Sequence, residues 1–200
     1  MSENITINNV IFAYCAFDEP KAVTPGADPR YSACIIIPKS NTESIEAIKA
    51  AATECAIAAN GGKKPTGFDL GIRDGGEKDA VTGEYKKRNP AFHDAFYLNA
   101  KTKFEPHVIV GKDKALFSET SGINPDGMIG AVSLSPFAYS HTGNKGVSWG
   151  LQAVWLKKKG TPIGGGAGTS AFDEMDGGDC DEFNTQPEAS AADELNEMLS

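Results

Sequence analysis

Tyr97, Asn99, Lys101 and Lys103 stand at alternate positions within residues 95–104. In an extended segment alternate side chains share a face, so an aromatic ring, an amide and two cations line up on one side. The other side receives Phe96, Leu98, Ala100 and Phe104, which read as core. The first set suits single-stranded nucleic acid, where cations follow the phosphates and π-faces stack on splayed bases. A solvated strand face shows the same alternation, and both readings stand at this point. Lys86-Lys87-Arg88, flanked by Tyr85 and Phe92, is a compact cationic run in a polar segment, residues 61–90, that also supplies Arg73. Tyr139, His141 and Lys145 cluster about a glycine-containing connection. Phosphate contact or base stacking is the functional reading of Arg73, Lys86, Lys87, Arg88, Tyr139 and Lys145; solvated loops are the alternative.

Catalytic constellations are poor by comparison. The sequence contains no G-x-x-x-x-G-K-[ST], H-E-x-x-H or G-x-S-x-G pattern. Asp69, Asp74 and Asp79 recur every five residues in loop-like sequence and could bind Mg²⁺ in a nuclease, but no His or Glu supports them. Cys15, Cys34, Cys55 and Cys180 form no C-x-x-C pair, and His93, His107 and His141 are not grouped with them, which argues against zinc. No enzyme activity, metal or cofactor is expected. The first three cysteines lie in apolar segments and read as reduced core thiols, in keeping with a reducing cytoplasm. The N-terminus shows no secretory pattern, and no apolar run approaches the roughly 20 residues of a membrane helix.

Charge divides the chain. All 19 basic residues precede Gly160, whereas the last thirty residues hold ten acids and no base. The net charge of -8 therefore splits into +2 for residues 1–170 and -10 for the remainder. Such a tail cannot bury enough apolar surface to offset its ordering entropy, and the reading is a disordered tail on a folded body. It could solubilise, recruit a partner, or imitate a nucleic-acid backbone over a basic groove.

The candidate residues must be held by strands. Residues 5–17 are β-branched and aromatic, with a bulge or bend expected at Asn8-Asn9. Residues 19–29, with three prolines, read as loop. Residues 31–37 read as a strand buried on both faces and ended by Pro38. A helix is expected over residues 41–59, begun by a Ser40/Glu43 capping box or by Asn41 or Thr42 as cap. Ile45, Ile48, Ala52, Cys55 and Ala59 form its apolar stripe, and Asn60-Gly61-Gly62 ends it. A weak strand near residues 68–73 precedes a mobile loop; residues 94–104 form another strand, and residues 117–127 a loop. Residues 128–139 and 146–157 give the strongest hairpin signal, joined by six residues. Trp149, Leu151, Ala153 and Trp155 share one face of its second strand, a spacing that reads as core for both tryptophans, with surface stacking by Trp149 as the alternative; Lys157-Lys158-Lys159 reads as a solvated strand end. Residues 164–168 are a glycine-rich linker.

Several strands and one helix without regular β-α-β alternation argue against a doubly wound fold. The expected fold is mainly β: an OB-fold-like, partly open barrel with one interposed helix over residues 1–163, followed by a linker and disordered acidic tail over 164–200.

These residues also resemble a family. Glu3-Asn4-Ile5-Thr6-Ile7-Asn8-Asn9-Val10, then Glu19-Pro20-Lys21, Tyr31-Ser32-Ala33 and Ile37-Pro38-Lys39, resemble the start of phage single-stranded DNA-binding proteins. Tyr97-Leu98-Asn99-Ala100-Lys101 is similar, as is Asn144-Lys145-Gly146-Val147-Ser148-Trp149-Gly150-Leu151 followed by Gly164-Gly165-Gly166 and the acidic tail. The resemblance covers most of residues 3–176, and the shared order of the motifs carries it. It implies an OB-fold-like protein that coats single-stranded DNA in phage replication and recombination. It also implies a tail that competes with DNA, contacts replication proteins such as polymerase or helicase-primase, and can tie protomers into a homodimer. Asp173, Glu174, Asp176, Asp179, Asp181 and Glu182 would carry the tail's charge. Tails of this type often end in an aromatic residue; here Leu195, Met198 and Leu199 would supply the apolar anchor. An RNA-binding or strand-annealing factor, and an adaptor acting through the tail alone, are the rival functions.

Overall fold

The computed structural model describes residues 3–22, 24–63, 66–119, 122–141 and 144–163. Strand β1 (Ile5–Lys21) pairs antiparallel with β2 (Arg30–Pro38) on one edge and with β7 (Ile129–His141) on the other. β2 continues to β4 (Ala95–Thr102), and β7 to β8 (Asn144–Lys158). A parallel pairing of β4 with β8, Ala100 with Trp149 and Lys101 with Gly150, closes a five-stranded barrel. The seam is only those two pairs long. The result is the expected OB-fold-like architecture. Short strands β3 (Arg73–Asp74), β5 (His107–Val110) and β6 (Ala115–Leu116) extend the sheet at β4 and β8. β5 and β6 carry no signal that the sequence reading used.

Bulges decide which side chains enter the barrel. In β1 the register shifts between Asn8 and Val10, and Asn9 takes φ +53°, a left-handed conformation that Asn tolerates. Ile7 and Val10, three apart, can therefore both point inward with Phe12. The bend expected at Asn8-Asn9 is this bulge. β1 then runs to Lys21, three residues into the expected loop, because it keeps pairing as far as Arg30.

In β8 the partners jump from Ala153 opposite Ser133 to Leu151 opposite Leu134, which leaves Gln152 unpaired. One extra residue inverts the faces beyond it. Trp149 and Leu151 lie in the core, followed by Val154 and Leu156, while Ala153 and Trp155 turn outward. The core reading of Trp149 and Leu151 holds; that of Ala153 and Trp155 does not, because strict alternation ignored the bulge. The hairpin also pairs further than expected, to His141 opposite Asn144.

Helix α1 (Thr42–Ala59) is capped by Asn41, whose Oδ1 accepts from Ser44 N, so the Ser40/Glu43 box is not used. Asn41 Nδ2 and Ser44 Oγ both donate to the Asn8 carbonyl, fixing the helix start on the β1 bulge. Ile48, Ala52, Cys55 and Ala56 enter the core. Ala59 is exposed at the helix end, so Ala56 completes the stripe in its place.

β2 is buried on both faces, as read, and the structure supplies the reason. Ala33, Ile35 and Ile37 face the barrel core, whereas Cys34 and Ile36 face a second cluster outside it with Ala13, Phe92, Ala95 and Ile163. Burial pushes the Cys34 thiol up to about 12, and Cys15 is raised further by burial and by Asp126. Cys15, Cys34 and Cys55 are free thiols.

Candidate nucleic-acid interface

β4 presents Tyr97, Asn99 and Lys101 outward, while Leu98 and Ala100 are buried. The inward half of the expected alternation fails at its ends. Phe96 is half-buried at the rim, with the Lys39 and Lys49 ammonium groups 5.3 and 5.4 Å from its ring. Phe104 lies past the strand's last residue and is 82 % exposed.

Three further elements bring partners to this face. Arg73 is paired with Tyr97 across β3 and β4. Tyr139 lies at the tip of β7 with its ring over Gly146 of β8, where an added Cβ would fall 2.8 Å from the ring. Residues 69–71 dock on the start of β8: Val147 N donates to the Asp69 carbonyl at 2.7 Å, and Trp149 Nε1 to the Leu70 carbonyl at 3.3 Å. Gly71 has φ +70°, and a Cβ there would sit 2.4 Å from the Val147 carbonyl oxygen, so glycine is required for that approach. Of the expected strand near residues 68–73, only Arg73 joins a strand, with one isolated bridge at Asp69.

A groove of about 270 Å³ results, lined by Asp69, Arg73, Tyr97, Asn99, Lys101, Tyr139 and Ser148 above Trp149. Five of the sequence-derived candidates thus converge: Arg73, Tyr97, Asn99, Lys101 and Tyr139. Arg73 makes a two-pronged contact with Asp69, 2.7 and 2.6 Å. Arg73's hydrogen bond holds the Asp69 carboxyl below its ordinary range, helped by Gly71 N, and the same bond raises Arg73. The guanidinium is therefore fixed and always charged at the groove edge.

Lys87 reaches the same face, its Nζ 4.6 Å from the Tyr97 ring and 5.4 Å from that of Phe92. Phe92 meets Tyr97 edge-on at 5.3 Å. Lys86 points elsewhere, into an ion pair with Glu77. The segment expected as a mobile loop is a small hydrogen-bonded turn. Asp79 accepts from Val81 N and Thr82 N, Lys78 bridges to Tyr85, and Tyr85 stacks on His93 at 3.6 Å. Arg88 is exposed on this segment and Lys145 at the start of β8. Lys103, beyond β4, sits 3.5 Å from Asp28. Lys87, Arg88, Lys101 and Lys145 have no ion-pair partner among the described residues.

Sequence reasoning missed two features. Phe137, 47 % exposed and paired with Ser148, adds an aromatic beside the groove; its spacing of two from Tyr139 was the available signal. Asp69 orients Arg73, which no local pattern announces. The three aspartates weighed as metal ligands are separately engaged: Asp69 by Arg73, Asp74 by Lys39 at 3.0 Å, and Asp79 by its own turn. Among the described residues no group of His, Cys, Asp or Glu is arranged to hold a metal ion. Among the described residues no helix is long and apolar enough to cross a membrane. The tail residues Asp173, Glu174, Asp176, Asp179, Asp181, Glu182, Leu195, Met198 and Leu199 lie outside the described residues.

A family model described as "Enterobacter phage Enc34, ssDNA-binding protein" matches residues 3–184. The chain belongs to this family. Protein p50 of Acyrthosiphon pisum secondary endosymbiont phage 1 is 26 % identical over 172 residues, 86 % of this chain and 92 % of p50. Among solved structures, the bacteriophage Enc34 single-stranded DNA-binding protein in complex with ssDNA superposes with TM-score 0.64 at 19 % identity, over 80 % of this chain and 89 % of that one. The same phage's protein in another structure gives TM-score 0.62 at 20 % identity, over 85 % and 90 % of the two chains. Both share the barrel fold with this member of the Enc34 family.

Proposed function

We propose that this protein binds single-stranded DNA with little regard to sequence, and coats and protects it during phage DNA replication and recombination. The observation that carries the reading is the convergence of Arg73, Tyr97, Asn99, Lys101 and Tyr139 on the outer face of the β4–β8 seam. Strands two and three of an OB barrel, with the loops after strands one and four, are where such folds take oligonucleotides. Here those strands are β2 and β4, and the second loop follows Tyr139. An Enc34 family protein solved with ssDNA supports the same ligand class. Aromatic faces accept any base, so stacking gives affinity without sequence readout, and unpaired cations neutralise phosphates.

The acidic tail competes with DNA for these cations and recruits replication proteins, polymerase or helicase-primase; joining protomers into a homodimer is a further use of it. Two facts support competition. The tail carries ten carboxylates and no base. Ile163, the last described residue, is buried in the cluster against which Tyr97 packs, so the tether starts within reach of the groove.

The test is a salt titration of oligo-dT binding by the full chain, with blunt duplex DNA and an RNA oligomer as competitors. Each phosphate contact contributes about -0.7 to the slope of log K against log salt. If Lys87, Arg88, Lys101 and Lys145 each meet one phosphate, the slope is roughly -3. A flat response, or equal affinity for blunt duplex, refutes the reading; preference for RNA transfers it to the RNA-binding rival.

A further inference from the structure

We propose a second single-stranded DNA contact at the far end of the β7–β8 ladder, with Trp155 as stacking platform and Lys114 and Lys157 as phosphate partners. This rests on the single-stranded DNA reading of the groove and extends the path of the strand beyond it. The Gln152 bulge places Trp155 on the outer face, half-buried, opposite Ala131. Its Nε1 donates to the Gly111 carbonyl at 2.9 Å, which fixes the indole and leaves no unsatisfied donor. Lys157 Nζ lies 4.3 Å and Lys114 Nζ 5.1 Å from the ring.

Lys114 is held at φ +54° in the turn between β5 and β6, a backbone conformation that is costly for a residue with a side chain. The strain is retained at the residue that brings a cation to Trp155, and strained positions cluster where ligands are gripped. Lys112 stands in the same turn as Lys114, and Lys158 ends β8. None of these four lysines has an ion-pair partner among the described residues, and Lys157 Nζ donates to the neutral Asn8 Oδ1 at 2.8 Å, which leaves its charge uncompensated. A fixed aromatic ring with several uncompensated cations is the combination that single strands recognise.

The patch is continuous with the groove. Lys101, at the groove's end, is paired with Gly150, and Trp155 lies five residues further along β8, about 16 Å at strand rise. Between them the outer face carries Ser135, Ser133, Ala153 and the exposed Gln152, whose Nε2 would lie 3.6 Å from a Cβ built on Gly150. A strand leaving the groove past Lys101 thus meets small side chains and the polar Gln152 on this ladder before Trp155, and no aromatic or acidic one. An acidic peptide would satisfy the lysines, but continuity with the groove favours DNA.

The experiment uses the full chain, Lys114→Gln with Lys157→Gln, and separately Trp155→Ala, each checked by thermal melting. Two oligo-dT lengths are titrated: about 5 nucleotides, near the lower limit for an OB fold, and about 30. The lysine pair is expected to weaken the long oligomer and lower its salt slope by about 1.4, two phosphates' worth, while the short oligomer's affinity holds. Trp155→Ala is expected to weaken the long oligomer about fivefold or more. Equal weakening of both lengths by the lysine pair reports a general loss of positive field and overturns the site, as does no change for either. Recovery of parental affinity on deleting residues 171–200 assigns the patch to the tail and also overturns it. Should the parent bind neither length, the groove reading itself has failed; Tyr97→Ala weakening both lengths shows that it stands.

Discussion

Tyr97 and Lys101 share a face, and the proposed function gives them different parts of a nucleotide to contact, so separate substitutions test the two roles. Lys101 is exposed with no ion-pair partner among the described residues. Lys101→Gln should remove the proposed phosphate contact and leave the fold untouched. The slope of log K against log salt should become shallower by about 0.7, and the affinity loss should shrink as salt rises. Tyr97→Ala removes a stacking surface instead. The loss should be about 1–3 kcal/mol, roughly 5- to 150-fold, with the salt slope unchanged. Tyr97 also has a structural share, its edge contact with Phe92 at 5.3 Å. Such a contact is worth about 0.5–1.5 kcal/mol, and melting should fall by roughly 1–6 °C. Oligo-dT binding by anisotropy across a salt series, beside a melting curve for each variant, gives all four numbers. The reasoning fails if Tyr97→Ala matches the parent in affinity, or if its effect lies in the slope and that of Lys101→Gln does not.

Three other outcomes are expected. Gly71→Ala should destabilise by more than about 1 kcal/mol and weaken DNA binding, because the new Cβ meets the Val147 carbonyl beside Arg73's anchor. Gly67→Ala, at φ +69° but with nothing within 4 Å, should cost less stability and spare binding; equal binding losses would remove the steric explanation. Asp69→Asn should tighten oligo-dT binding at low salt by freeing Arg73. Because Asp69 is lowered chiefly by its bond to Arg73, the parent's stability advantage over Asp69→Asn is present above the usual carboxylate pKa and lost as pH falls through the lowered value. The pair is exposed and screened, so that advantage is at most about 1 kcal/mol in urea melts at neutral pH, and an advantage that grows on acidification contradicts the assignment. Truncation after residue 170 should tighten oligo-dT binding, most at low salt; coincident curves for truncated and full chains at every salt would end the competition model.

The barrel was legible because its long strands carry local signals: alternation in β4, β-branched runs in β1 and β2, and a hairpin pattern in β7 and β8. Its closure was not. That Ala100 meets Trp149 is a fact about two segments nearly fifty residues apart. The groove was half legible for the same reason. Tyr97, Asn99 and Lys101 follow from alternation alone, but Arg73 depends on the close approach of Gly71 to β8, and Lys86 was lost to Glu77 by a turn that Asp79 nucleates. Trp155 failed for a sharper reason: period-two reasoning has no way to register one extra residue, so everything beyond Gln152 was assigned to the wrong side.

β1 lies between β2 and β7 in the barrel and is the first strand synthesised. One edge is satisfied promptly by β2, but the other waits for β7, roughly 110 residues later. At about 5–20 residues per second, a ribosome leaves that edge without its partner for about 5–20 s. Such an edge, with Ile5, Ile7, Val10 and Ile11 beside it, is a template for pairing with another nascent chain. Overproduction should therefore fail first by aggregation of unfinished chains, and slower translation across residues 22–128 should make it worse.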